Sequence, residues 1–150
     1  CISFFLVTIT SCTKNKNAIK TAQITSIINS KDSLQENAFY NFDNGNLDVT
    51  FTLSPFQNPN ANLSDSEYDN NLDKTLKNLN KDFPNEKITK KNFENPFEKT
   101  FKNVTFSVEK ESKKVIIDGK DIHKEFIMSD SNENRLTDSL GNEYELKYSE

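Results

Sequence analysis

The sequence is short of the residues on which most site chemistry depends. It has two cysteines, one histidine and three glycines in 150 residues. Both cysteines, Cys1 and Cys12, stand in the first dozen positions. The rest of the chain therefore has neither a disulfide framework nor thiolates for a metal site. The lone His123 cannot assemble a zinc site by itself, and no spacing around it suggests a Ser/His/Asp arrangement. It alternates with Glu125 opposite the apolar positions of its segment, so it is expected to point outward. The few glycines form no phosphate-cradling loop. Strong positive charge is also missing: the net charge is −4 and the pI about 5.1, which argues against the basic footprint of non-specific nucleic-acid binding. No cofactor is implied.

Long apolar runs are scarce too. The one at residues 2–9 is too short for a membrane-spanning helix, which needs roughly 20 residues. Its length suits the apolar core of a secretion signal. A basic segment before it would complete such a signal, and a leader truncated at its start is the expectation. The run ends at Ile9-Thr10-Ser11-Cys12 and gives way at once to Thr13-Lys14-Asn15-Lys16-Asn17. This junction resembles the lipobox of bacterial lipoproteins, with an aliphatic residue, a small residue, Gly/Ala/Ser and then cysteine. Leucine is usual where Ile9 stands. The resemblance covers only these first residues. It implies cleavage before Cys12, diacylglycerol on its thiol and acylation of its new amine. Thiols are strong nucleophiles, and two or more acyl chains anchor stably where one is marginal. Thr13 after the cysteine resembles the pattern for outer-membrane sorting, facing the periplasm. The expected organisation is a signal at 1–11, a lipidated tether at 12–22 and a single domain over 23–150.

Within that domain the plainest signal is Asn44-Gly45 between two alternating runs. A two-residue type I′ loop places Phe42 opposite Leu47, Tyr40 opposite Val49 and Ala38 opposite Phe51, with all six on one face. Residues 22–30 read as either strand or helical turn. Pro55 and Pro59 break the second strand. Ser64-Asp65-Ser66-Glu67 has the form of a capping box. Beyond it Tyr68, Leu72, Leu76, Leu79 and Phe83 recur at helical spacing, which predicts a helix over about 65 to 82 stopped by Pro84. Its acids lead and Lys74, Lys77 and Lys81 follow, as the helix dipole favours. Residues 85–102 carry Phe93, Phe97 and Phe101 at mixed spacing and fit either helix or strand. From 103 onward, alternating runs and the turn cues Asp118-Gly119 and Leu140-Gly141-Asn142 predict a β meander.

Two clusters invite chemistry. Asp130, Asn132, Asn134 and Asp138 stand at EF-hand ligand positions, but Arg135 occupies the glycine position and Gly141 the bidentate glutamate position, so a polar turn is expected. Lys87, Lys90, Lys91, Lys99, Lys102, Lys110, Lys113 and Lys114 crowd the middle of the chain, while acids load its end. This reads as a self-complementary surface or as a basic patch for an anionic glycolipid or polymer. No carboxylate pair is singled out for glycoside hydrolysis. Asn62-Leu63-Ser64 and Asn103-Val104-Thr105 match the glycosylation pattern by chance.

The expected fold class is α+β. An antiparallel sheet of about six or seven strands, a meander that could curl into a barrel, would carry one inserted amphipathic helix. The expected function is that of a lipid-anchored, non-enzymatic binding or structural module of the cell envelope. Its partners would be the membrane, through the anchor, and an envelope protein or small hydrophobic ligand. An inhibitor or immunity-type lipoprotein, a hydrophobic-ligand carrier and an Asp/Glu glycan hydrolase are the alternatives, in that order.

Overall fold

The computed structural model describes residues 19–27, 34–55 and 65–149. The first strand is β1 (Thr21–Ile27), so the segment read as strand or helical turn is a strand. It also takes in Thr21 and Ala22, which composition placed in the tether; Ala22 is buried opposite Phe42. The hairpin strands β2 (Leu34–Asp43) and β3 (Asn46–Pro55) follow. Their register pairs Phe42 with Leu47, Tyr40 with Val49 and Ala38 with Phe51, as the alternation requires. Asn44 and Gly45 take φ of +46° and +90°, the left-handed pair that a type I′ turn demands.

This turn gives a direct stability test. A Cβ at Gly45 would meet nothing within 4 Å, so substitution there acts through the backbone alone. Gly45→Val is expected to cost about 1–2 kcal/mol, because left-handed geometry brings a β-branched side chain against its own carbonyl. Urea unfolding measures the loss. An unchanged midpoint would mean that the turn carries no strain.

The helix α1 (Asp65–Asp82) has the predicted length. Leu72 and Leu79 are buried along it and Leu76 partly so, which is the narrow stripe its spacing implies. Ser64, with the side chains of Glu67 and Tyr68, lies outside the described residues. The stretch that fitted either helix or strand is both. A 3-10 turn spans Lys90–Phe93, capped by Thr89, whose hydroxyl accepts from the Lys91 N–H while the Asn92 side chain accepts from the Thr89 N–H. After Pro96 the chain becomes β4 (Phe97–Phe101) and pairs with β3. No described helix is long and apolar enough to cross a membrane.

The meander then lays down β5 (Thr105–Glu109), β6 (Lys114–Asp118), β7 (His123–Met128), β8 (Arg135–Thr137) and β9 (Glu143–Ser149). The nine strands make one antiparallel sheet, ordered β4-β3-β2-β1-β9-β8-β7-β6-β5. This exceeds the six or seven expected, because β1, β4 and the three-residue β8 carry weak patterns of their own. The fold is mostly β, with one α-helix among the described residues.

The sheet does not close into a barrel, because β4 and β5 remain its two edges. It does bend back on itself. Phe42 on β2 meets Phe106 on β5 at 5.3 Å between ring centroids, and Tyr40 meets Phe126 on β7 at 5.9 Å. These strands are far apart in sheet order, so one concave face packs against itself. The helix enters the same core. Just past its end, Phe83 packs on Phe51, Phe97 and Phe101. Tyr40, Phe51, Phe83, Phe126 and Tyr144 have no more than 1% of their surface exposed, so aromatic side chains fill the concavity.

Candidate functional site

Cys12 and the rest of the lipobox lie outside the described residues. Within the domain, the lysine-rich middle of the sequence separates into two groups. Lys99, Lys113 and Lys114 are paired, with Glu86, Asp130 and Glu125 respectively. Lys87, Lys90 and Lys91 join Lys77 and Lys81 of α1 around an open groove of about 1180 Å³. None of these five is within ion-pair distance of a carboxylate among the described residues. The helix dipole accounts for Lys77 and Lys81. It does not account for the three on the facing loop.

The facing loop is held in place by a specific device. The Asn80 side chain reads the backbone of Ile88 at two points. Its Oδ1 accepts from the Ile88 N–H at 2.9 Å, and its Nδ2 donates to the Ile88 carbonyl at 3.0 Å and to the Leu76 carbonyl at 2.8 Å. Both backbone groups of a loop residue are thereby satisfied by one helix residue. Ile88 is buried and Leu76 half-buried, so the groove floor is apolar and its rim cationic. The capped 3-10 turn fixes where Lys90 and Lys91 start. Among the ten described lining residues Asp73 is the one acid, and none is aromatic. Sequence reasoning noticed both lysine groups. It could not bring them together, because nothing in the spacing marks Asn80 as a clamp.

Behind the helix end lies a buried ionic cluster. Lys124 occupies an inward position of β7 between Ile122 and Phe126, with only 2% of its side chain exposed. Its ammonium donates to Asp82 at 2.9 Å and stands 3.9 Å from Asp138. It also lies over the rings of Phe126 and Tyr144. Asp138 is capped from several sides, accepting from the Leu140 and Asn142 N–H groups, the Asn142 side-chain amide and the Tyr144 hydroxyl. Burial raises the Asp82 carboxyl above its ordinary value; Lys124 opposes that shift and Asp138 adds to it. The cluster ties α1 to β7 and β9 in a filled core. Its sequence signal was a single charged residue in the apolar register of β7.

Asp138 was also the ninth position of the candidate calcium loop. The structure turns it inward, away from Asp130, whose carboxylate is held by Lys113 and has its pKa lowered by that contact. Asn132 instead organises a tight turn, its side chain accepting from Asn134 and its carbonyl from Arg135. No group of three metal-ligating side chains occurs among the described residues.

His123 sits on the outer, solvent-facing side of the sheet, as the alternation predicts. Its two ring nitrogens meet Glu125 at 2.9 Å and Asp118 at 3.1 Å. Those contacts, Glu125 first, raise its pKa. Any stabilisation they give is complete below the unfolded-state pKa and fades as pH rises through the folded one. Both carboxylates are solvent-exposed on that face of the sheet.

Comparisons with protein-family models, with curated proteins and with solved structures each find no match to this chain.

Proposed function

We propose that this chain is a lipid-anchored, non-enzymatic binding module of the bacterial cell envelope, held by Cys12 at the outer membrane and facing the periplasm. The lipobox supports the attachment. The lysine-rimmed groove between α1 and the Lys87–Lys91 loop is the observation that carries the binding role. Its walls are fixed by Asn80 and by the Thr89 cap before any ligand arrives, and preformed walls spare a ligand the ordering cost of its site. The carrier alternative has less support, because helix and aromatic side chains occupy the concave face a hydrophobic ligand would need.

The anchor is tested by Cys12→Ala. That variant should lose fatty-acid labelling and move from the membrane to the soluble fraction. Fractionation with membranes at the level of the parent would remove the anchor from this reading.

A further inference from the structure

We infer that the groove binds a linear acidic peptide segment of a partner protein, one in which an aliphatic side chain is flanked by carboxylates. This deepens the binding role proposed above and rests on it. The first argument is charge. Among the described lining residues, five lysines against Asp73 make the groove cationic on a chain whose net charge is −4. Such a local reversal attracts an acidic partner and steers its approach.

The second argument is the floor. Half-buried Leu76, backed by buried Ile88, gives apolar surface between the cationic rims, the arrangement that seats one aliphatic side chain between two carboxylates. The third is what the described lining leaves out. None of its ten residues is aromatic, so none offers a ring to stack a base or a sugar. Lysine supplies point charges on flexible stems, which can follow carboxylates spaced along a chain. A concave site with fixed walls also suits a chain laid into it better than a flat membrane surface.

The test uses the full chain in detergent and fluorescence anisotropy with short labelled peptides. One contains leucine between Asp and Glu residues, one replaces the acids by Asn and Gln, and one replaces the leucine by glycine. The acidic leucine peptide should bind, with affinity falling as salt is raised. The amide peptide should not bind, and the glycine peptide should bind more weakly. Reversing Lys77, Lys87 and Lys91 together to Glu should weaken binding at least about tenfold, roughly 1.4 kcal/mol. Reversing Lys102, Lys110 and Lys120, exposed residues outside the groove, makes the same change in net charge and should leave binding within about twofold.

Equal binding of the amide peptide, or equal loss in the two triple variants, overturns the proposal. So does stronger binding to phosphatidylglycerol vesicles or to inorganic polyphosphate than to the peptide. Detergent makes this assay independent of anchoring. Peptide failure alongside intact membrane fractionation removes only this inference, while loss of anchoring with peptide still bound removes only the anchor.

Discussion

Lys124→Met should lower the folding free energy by about 3–5 kcal/mol, the usual cost of removing one partner from a buried ion pair. The ammonium is almost wholly enclosed, and so is the carboxylate of Asp138, whose side chain is 2% exposed. Asp82 keeps only 13% of its side-chain surface. Methionine matches the volume of lysine but leaves both carboxylates without their cation. By contrast Arg135 and Glu143, paired at 3.1 Å on the surface with 44% and 37% of their side chains exposed, contribute about 0–1 kcal/mol. Burial, not the number of ion pairs, decides which one matters.

The deficit should also depend on pH with a definite sign. Burial already raises the Asp82 pKa, and Lys124 is the largest influence holding it down. An acid whose pKa is higher folded than unfolded binds protons on folding, so its contribution to stability improves as pH falls through the folded value. Without Lys124 that value climbs further. The gap between variant and parent should therefore be widest at neutral pH and narrow on acidification. Urea unfolding across pH measures both effects. A loss below about 1 kcal/mol at neutral pH, the range of surface pairs, would show that water reaches the cluster.

Phe83→Ala should cost about 3–5 kcal/mol, the usual range for emptying a buried phenylalanine site. The side chain has no exposed surface and stands among three rings, at 5.8 Å from Phe51, 5.3 Å from Phe97 and 5.7 Å from Phe101. These rings come from β3 and β4, so the residue just past the helix end also pins the edge strand. A collapse filling the cavity would require β4 to shift against β3. Phe39, 39% exposed on the outer face, is the control, and its replacement by alanine should change stability far less. Chemical unfolding of the two variants decides the matter, and equal losses would refute the aromatic cluster as the main joint between helix and sheet.

The sequence was most readable where one local rule acted alone. Asn44-Gly45 and its flanking alternation determine both turn type and register, because a slip of one residue would turn one strand's three apolar side chains away from the other's. The helix was readable from its 3.6-residue stripe and from Pro84. The stretch from 85 to 102 resisted because two periods overlap there. Phe97 and Phe101 are four apart, yet both face the core from a strand, with Lys99 between them paired to Glu86. Of the lysine-rimmed groove, only the charges were visible. Its shape depends on Asn80 meeting Ile88, a contact that helix periodicity cannot announce. Lys124 looked like an ordinary member of an alternating strand until Asp82 and Asp138 were seen to converge on it from separate elements.

The position of β1 beside β9 has a consequence for how the chain must find this fold. Thr21 pairs with Ser149, and their hydroxyls are 2.6 Å apart across a separation of 128 residues. Apart from this pair, every ladder joins strands that are consecutive in the chain. Each doubling of a closed loop costs about 0.6 kcal/mol, so closing 128 residues rather than a two-residue turn adds roughly 3.6 kcal/mol of chain entropy at this one seam. The most distant pairing of the protein is thus a single strand pair at the middle of its sheet, and the next is β3 with β4, where Leu47 meets Phe101 across the helical insertion. A short turn from Ser149 to Thr21, with the chain reopened between β4 and β5, would turn the same nine strands into an up-and-down meander broken only by the helical insertion between β3 and β4, with no pairing as distant in sequence as this one.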